Sequence, residues 1–452
     1  MVKMKKIIGY MSLLLLTVSL FLYGCSTEKD SGQTVQKGKS SVSVSEPAED
    51  PVQKEMIQEQ SESVYPETTP TKAPVVYPEE SQESSESEPT VIESEESEAF
   101  SEEDKAEIFV GQMSLEEKVA QMFVVTPDAL TGVSGASQAG DITRSKYEEI
   151  PVGGFILMEG NIKTPEQLTA LTGGLKDIAK QRMGLIPFLC VDEEGGTVTR
   201  IASNSGFSVQ NVGRMSEIGA TGDPKKAYEV GSILGTYLSE YGLNVNFAPV
   251  ADVLLNSENS VVGSRSFGSD PELVASMVTN EIQGLHEANV ATAVKHFPGH
   301  GYTEEDSHDG LAYSNRTIEE ISSCELMPFQ AGIEAGTEFV MVGHIAMPEI
   351  TGNDMPASLS YDMVTEILRN QMGYQGLVIT DAMNMGAISN LYSSADAAVQ
   401  AVQAGCDVIL MPSDFYSAYK GVVEAVRNGT ILEERIDESV LRVVNTKLKM
   451  YE

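Results

Sequence analysis

Lys295, His296, His300, Asp306 and His308 place five charge-bearing or proton-shuttling groups within fourteen positions of a 452-residue chain. Asp306 stands two residues before His308. That spacing lets a carboxylate orient an imidazole and stabilise its protonated form, as acid partners do in other dyads. The apolar residues before Lys295 predict a short buried strand that ends in charge. Pro298, Gly299 and Gly301 then predict a stiff turn. Loops at strand ends are where a rigid scaffold carries chemistry. The bland alternative makes Lys295 a solvated strand-end charge and the histidines ordinary loop residues. A second alternative has His296, His300, His308 and Asp306 ligating zinc. Their spacing matches no common zinc motif, and a lysine beside His296 opposes a cation.

The elements that must position these groups follow from periodicity and punctuation. Short apolar runs predict eight strands, at Met122–Val125, Gly154–Met158, Pro187–Val191, Val245–Val250, Thr292–Lys295, Phe339–Gly343, Gly376–Thr380 and Asp407–Met411. The first overlaps a helix predicted from the capping box Ser114–Glu117 through Phe123. Thr164-Pro165, Asp223-Pro224, Asp270-Pro271 and Thr317 to Glu320 mark helix starts. Gly242, Gly336, Gly373 and Gly405 suit helix ends. Strands and helices alternating over about 340 residues predict a (β/α)8 barrel of the TIM type, with a doubly wound open sheet as the alternative. No GxGxxG follows the first strand, which weakens a dinucleotide-binding version of that sheet.

In such a barrel the strand ends form one face, and active sites sit there. Strand three ends in Asp192-Glu193-Glu194-Gly195-Gly196, with Arg200 beyond. Asp252 and Arg265 follow strand four. Lys295 and His296 end strand five, His344 strand six and Asp381 strand seven. Any one of these could be a cap, and Asp381 alone could simply cap the next helix. Their recurrence over five strands points to one pocket. Its chemistry suits attack on a glycosidic bond, which needs an ionised carboxylate for the oxocarbenium carbon and a proton donor for the leaving oxygen. Asp381 fits the first need and His308, directed by Asp306, the second. Lys295, Arg200 and Arg265 would hold hydroxyls, and Asp192 would accept from them.

Composition bounds the setting. The net charge is −37, and residues 101–452 carry 49 acidic and 22 basic residues. A surface this negative repels nucleic acid and anionic lipid. Residues 1–25 hold three lysines, an apolar run and Leu22-Tyr23-Gly24-Cys25. This predicts a bacterial lipoprotein signal with Cys25 lipidated, and so an extracytoplasmic protein anchored to the cell membrane. A plain signal peptide or a single anchor helix is the alternative. Residues 26–100 are rich in Ser, Glu and Pro and predict a disordered tether, roughly 50 Å from end to end. The remaining cysteines, Cys190, Cys324 and Cys406, read as small buried hydrophobes. Trp is absent, so any sugar stacking falls to other side chains.

These motifs resemble glycoside hydrolase family 3, and within it the β-N-acetylglucosaminidase branch. The resemblance covers residues 108–450. It rests on Lys295-His296-Phe297-Pro298-Gly299-His300-Gly301 with Asp306-Ser307-His308, on Val191 to Gly196 with Arg200, on Arg265-Ser266-Phe267-Gly268, and on Val378-Ile379-Thr380-Asp381-Ala382-Met383. It implies one barrel domain over residues 101–452 and a retaining exo-β-N-acetylglucosaminidase with a covalent intermediate on Asp381. It implies an Asp306–His308 acid/base and sugar contacts from Asp192, Arg200, Arg265, Lys295 and His296. No metal or organic cofactor is implied. Related β-glucosidases draw their acid/base from a second domain, whereas this chain ends soon after its last barrel helix, in keeping with the dyad. Tyr302 replaces an acidic or small residue common after that glycine, a change expected only to tune the loop. The expected substrates are N-acetylglucosamine-containing saccharides or muropeptides from peptidoglycan turnover, acted on by a monomer. A phosphorylase or β-glucosidase of the same family is the alternative, as is a non-catalytic sugar-binding lipoprotein.

Overall fold

The computed structural model describes residues 102–303 and 310–450. The signal segment with Cys25, the acidic tether, and Asp306 and His308 lie outside the described residues.

Eight parallel strands form the centre: β1 (Phe123–Val125), β2 (Gly154–Ile156), β3 (Phe188–Val191), β4 (Val245–Asn246), β5 (Ala291–Phe297), β6 (Phe339–Val342), β7 (Leu377–Thr380) and β8 (Ile409–Leu410). They are ordered β8-β1-β2-β3-β4-β5-β6-β7. A parallel bridge between Ile379 and Val408, just before β8, joins the two ends of the sheet into a barrel. The predicted fold is therefore the observed one, and the open sheet is excluded.

Helices cover the outside: α1 (Asp141–Glu149), α2 (Pro165–Met183), α3 (Pro224–Glu240), α4 (Pro271–His286), α5 (Leu326–Glu334), α6 (Asp362–Gln371, a π-helix), α7 (Ser394–Ala404), α8 (Phe415–Arg427) and α9 (Glu433–Lys449). Three begin as predicted, with proline in the first turn behind a capping Thr164, Asp223 or Asp270 whose side chain accepts a backbone N–H. Ser114 and Thr317 open capping boxes. The helix from Ser114 stops at Gln121, short of the predicted Phe123, and β1 takes up the chain. Strand pairing to β8 and β2 satisfies Phe123–Val125 better than a further helical turn would.

Two predicted strand boundaries differ for identifiable reasons. β4 ends at Asn246 and does not run to Val250. Ala248 N turns back to Asn246 O, and Pro249 has no N–H for the ladder. β5 runs past Lys295 to Phe297 because Phe297 pairs with Val342 after a register shift.

The barrel interior is filled by Val124, Ile156, Phe188, Cys190, Val245, Phe247, Ala291, Ala293, Phe339, Met341, Leu377, Ile379, Val408 and Leu410. Val443 of α9 joins this cluster at its base. Lys447, also from α9, lies 4.9 Å from the Phe188 ring centroid and donates to Gln121 Oε1 at 2.7 Å. A larger apolar layer seals strands against helices. Cys190 and Cys406 are buried as expected, whereas Cys324 is only half-buried.

One buried group on α4 makes stability depend on pH. Glu281 is 1 % exposed, and its Oε2 has no hydrogen-bond partner among the described residues. Burial pushes its carboxyl up to about 8, with the charge of Glu194 adding and Lys295 opposing. Between about pH 4.5 and 8 the folded chain holds a proton that the unfolded chain has lost. Stability therefore falls as pH rises through that range. Glu281→Gln, which stays neutral, is expected to lose less Tm than the parent between pH 5 and 8. Parallel Tm profiles for the two proteins would contradict this.

Candidate active site

The inward side of each strand alternates by two, and three strands carry that register past the hydrophobic core into charge. Phe188 and Cys190 lead to Asp192. Ala291 and Ala293 lead to Lys295. Leu377 and Ile379 lead to Asp381. Each charged residue thus faces the barrel axis at the C-terminal mouth.

Lys295 Nζ sits 2.9 Å from Asp192 Oδ1 and 2.7 Å from Glu194 Oε1. Arg265 grips the same Glu194 with two bonds, Nε to Oε2 and Nη2 to Oε1, both 2.7 Å. Glu194 and Lys295 are each about 2 % exposed. Burial opposes charge on Glu194, yet the two cations hold its carboxyl far below the usual range. Burial likewise opposes charge on Lys295, and Asp192 and Glu194 outweigh it to raise the ammonium above its ordinary value. The site thus holds a compensated pair of cations and a pair of carboxylates. Arg200 approaches Asp192 at 3.6 Å.

A second chain of contacts runs through His296. Its Nδ1 lies 2.7 Å from Asp252 Oδ2, and its Nε2 lies 3.2 Å from Arg265 Nη2. The Asp252 carboxylate can only accept, so the Nδ1 that faces it carries a proton. Asp252 Oδ1 also accepts the backbone N–H groups of His296 (3.3 Å) and His300 (2.6 Å). Burial works against its charge, but His296 and His300 keep the carboxyl below its ordinary value. The β5 register shifts between Val294 and Phe297, an irregularity of the kind that re-aims side chains at active sites. The turn beyond is tightly packed: a β-carbon on Gly301 would lie 1.9 Å from Val253 O. His300 Nδ1 meets Thr303 Oγ1 at 2.7 Å.

Asp381 follows β7. Its amide donates to Val342 O at 2.9 Å, and its Oδ1 accepts the Ala382 amide at 2.7 Å. His344 Nε2 lies 3.1 Å from Ala382 O, while its Nδ1 meets Ser358 Oγ at 2.8 Å. His344 thereby braces the backbone next to Asp381. Burial alone would raise the Asp381 carboxyl, but His296, His344, the Ala382 amide and Lys295 together hold it below its ordinary value. The group is an ionised carboxylate at neutral pH.

The structure brings Asp192, Arg200, Arg265, Lys295 and His296 together as the sequence predicted. Three residues gain roles that the sequence reading left unassigned. Glu194 pairs both cations, and Asp252 orients His296. Glu193 points the other way, accepting the N–H groups of Arg200 (2.6 Å), Ile201 (2.9 Å) and Ala202 (2.8 Å) and the Tyr237 hydroxyl (2.9 Å). It folds the loop after β3 so that Arg200 returns to the mouth. The alternation of strand residues already separates Glu193 from its two neighbours and was the available signal. Among the described residues no group of three or more His, Cys, Asp or Glu could hold a metal ion.

The fold and site define a (β/α)8 barrel with a carboxylate and a cation-bound second carboxylate at its C-terminal mouth. Residues 114–446 match the family described as the glycosyl hydrolase family 3 N terminal domain, and the chain belongs to that family. It is 34 % identical to beta-hexosaminidase A of Pseudoalteromonas piscicida over 68 % of this chain and 54 % of that one. A beta-hexosaminidase of Stenotrophomonas maltophilia is also 34 % identical, over 62 % of this chain and 82 % of its own. Among solved structures, a family 3 beta-N-acetylglucosaminidase from Paenibacillus superposes with a TM-score of 0.70 and 38 % identity, over 75 % of this chain and 63 % of that one. The chain thus spans just over half of the Pseudoalteromonas relative and under two thirds of the Paenibacillus structure.

Proposed function

We propose that this glycoside hydrolase is a β-N-acetylhexosaminidase that removes terminal β-linked N-acetylglucosamine. The observation that carries the reading is Asp381, an ionised carboxylate on the barrel axis beside the Asp192–Lys295–Glu194–Arg265 cluster. In the first step Asp381 attacks the anomeric carbon while the Asp306–His308 dyad protonates the leaving oxygen. The glycosyl–Asp381 ester is then hydrolysed by water that His308 deprotonates. Asp192, Arg200, Arg265, Lys295 and His296 bind the sugar. The similarity to beta-hexosaminidases supports the choice of sugar. Lipidation at Cys25 would hold the enzyme on the outer side of a bacterial membrane, where peptidoglycan fragments are the available source of such termini.

Release of p-nitrophenol from the N-acetyl-β-glucosaminide, run beside the β-glucoside, tests the reading. A preference of about 100-fold or more in kcat/KM for the N-acetyl sugar is expected. Preference for the glucoside would transfer the chain to another activity of the family. Formation of a sugar 1-phosphate in phosphate buffer would make it a phosphorylase.

A further inference from the structure

Arg200 borders two places at once. Its Nη2 approaches Asp192 Oδ2 at 3.6 Å, and Asp192 bonds Lys295 at 2.9 Å, so the guanidinium adjoins the charged cluster at the barrel mouth. The same residue lines a cleft of about 620 Å³. Glu159 and Lys163, from the loop after β2, and Ser203, Asn204 and Ser205, from the loop after β3, also line it. The two loops are tied together. Asn204 Nδ2 donates to Ile162 O at 3.1 Å, and Asn204 Oδ1 accepts the Gly206 amide at 2.9 Å. A β-carbon on Gly206 would lie 2.6 Å from Lys163 O. The Lys163 amide donates to Gln167 Oε1 of α2 at 2.8 Å. With Glu193 holding the amides from Arg200 to Ala202, the walls of the cleft are in place before any ligand arrives.

The charges in the cleft run against those of the chain around it. Residues 101–452 carry 49 acidic and 22 basic residues, whereas here Arg200 and Lys163 stand against Glu159 alone. Among the described residues Lys163 has no ion-pair partner, and the Arg200 side chain meets a carboxylate only at 3.6 Å, beyond hydrogen-bond length. Both cations therefore have donors to spare. Guanidinium and ammonium groups with free donors suit the oxygens of a carboxylate or a phosphate. A wholly neutral saccharide would gain nothing from the charge of Lys163.

We propose that this cleft is an anion subsite, which takes a carboxylate or phosphate carried by the saccharide whose terminal sugar is held by Asp192 and Lys295. This rests on the glycosidase activity proposed above and makes acidic saccharides its preferred substrates. Arg200 lies between the terminal sugar and the cleft and serves both, while Lys163 serves the anion alone. The anion can stand on the sugar that leaves, as a carboxylic acid ether-linked to it, or on the terminal N-acetylglucosamine, as a 6-phosphate. The recognising chemistry is the same for the two carriers.

Two pairs of substrates, given to the full-length protein, test the subsite and tell the carriers apart. N-acetylglucosamine β-linked to N-acetylmuramic acid is compared with N,N′-diacetylchitobiose. The 6-phosphate of p-nitrophenyl N-acetyl-β-glucosaminide is compared with its unphosphorylated parent. In one pair kcat/KM at low salt is expected to be about fivefold or more higher for the acidic member, with the preference shrinking at about 0.5 M NaCl. The pair that shows it identifies the carrier. Lys163→Ala should lower that acidic-to-neutral ratio by about fivefold. Lys163→Arg, which keeps the charge, should hold the ratio within about twofold of the parent. Lys180→Ala, near the other end of α2 and roughly 25 Å away by helical rise, removes the same charge and should leave the ratio unchanged. Turnover of the neutral substrates without an acidic preference in either pair would overturn the proposal and leave the glycosidase reading standing. So would an equal fall of the ratio in Lys180→Ala and Lys163→Ala. If none of the substrates is cleaved, the glycosidase reading falls first and the subsite falls with it.

Discussion

Asp381→Ala is expected to lower kcat on p-nitrophenyl N-acetyl-β-glucosaminide by about 10,000-fold or more, with the fold intact. Removing a nucleophile that forms a covalent intermediate costs losses of this order. The geometry explains why the loss falls on kcat. Asp381 is held through its own amide on Val342 and through the Ala382 amide on its carboxylate, so it is aimed before substrate arrives. Its carboxyl is kept below the usual range, so the group stays ionised well into acid. The residue is only half-buried and supports no hydrophobic core, so Tm is expected to stay within a few degrees of the parent. Added azide supplies a second readout. It should restore turnover in Asp381→Ala and give the α-glycosyl azide, because the small anion attacks from the vacated carboxylate side. More than a tenth of parental activity without azide would remove Asp381 from the nucleophile's role.

Glu194→Ala is expected to cost about 3–5 kcal/mol of stability. Glu194 is 2 % exposed and lies between Arg265 and Lys295. Its removal leaves Arg265 and Lys295 with one nearby carboxylate, Asp192, which is only partly buried and pairs with Lys295 at 2.9 Å. A buried charge without its partner costs far more than the pair itself contributes. Activity should fall too, by about 100-fold, since Arg265 would lose its bidentate anchor and with it the hydrogen bond to His296. Glu194→Gln keeps the volume and isolates the charge; it should lose most of the same stability. Urea unfolding at neutral pH measures both variants. A loss below about 1 kcal/mol in Glu194→Ala would mean that the cluster does not hold the mouth together.

The local signals in the chain were strong where the physics is local. Proline behind Thr164, Asp223 and Asp270 opens helices because a missing N–H costs nothing in a first turn, and the cap satisfies the neighbour. Apolar runs marked all eight strands, since strands buried on both faces tolerate little else. The charged strand ends of β3, β5 and β7 were legible as one face because residues alternate by two along a strand. One error was local in origin, since Pro249 cut β4 short; the other was not, since pairing with Val342 on the neighbouring strand carried β5 onward.

The sequence by itself determined the barrel, its order of strands and helices, and the residue types presented at its mouth. Tertiary structure alone decided which of them meet. Glu194 joins Arg265 across 71 positions, and Asp252 joins His296 across 44. No periodicity encodes such pairs, because closure of the sheet sets the distance between strand ends. Closure also placed Lys295, a candidate hydroxyl binder, at the centre of a four-charge cluster. It set Tyr302, which in sequence is one residue of a turn, against the guanidinium of Arg316.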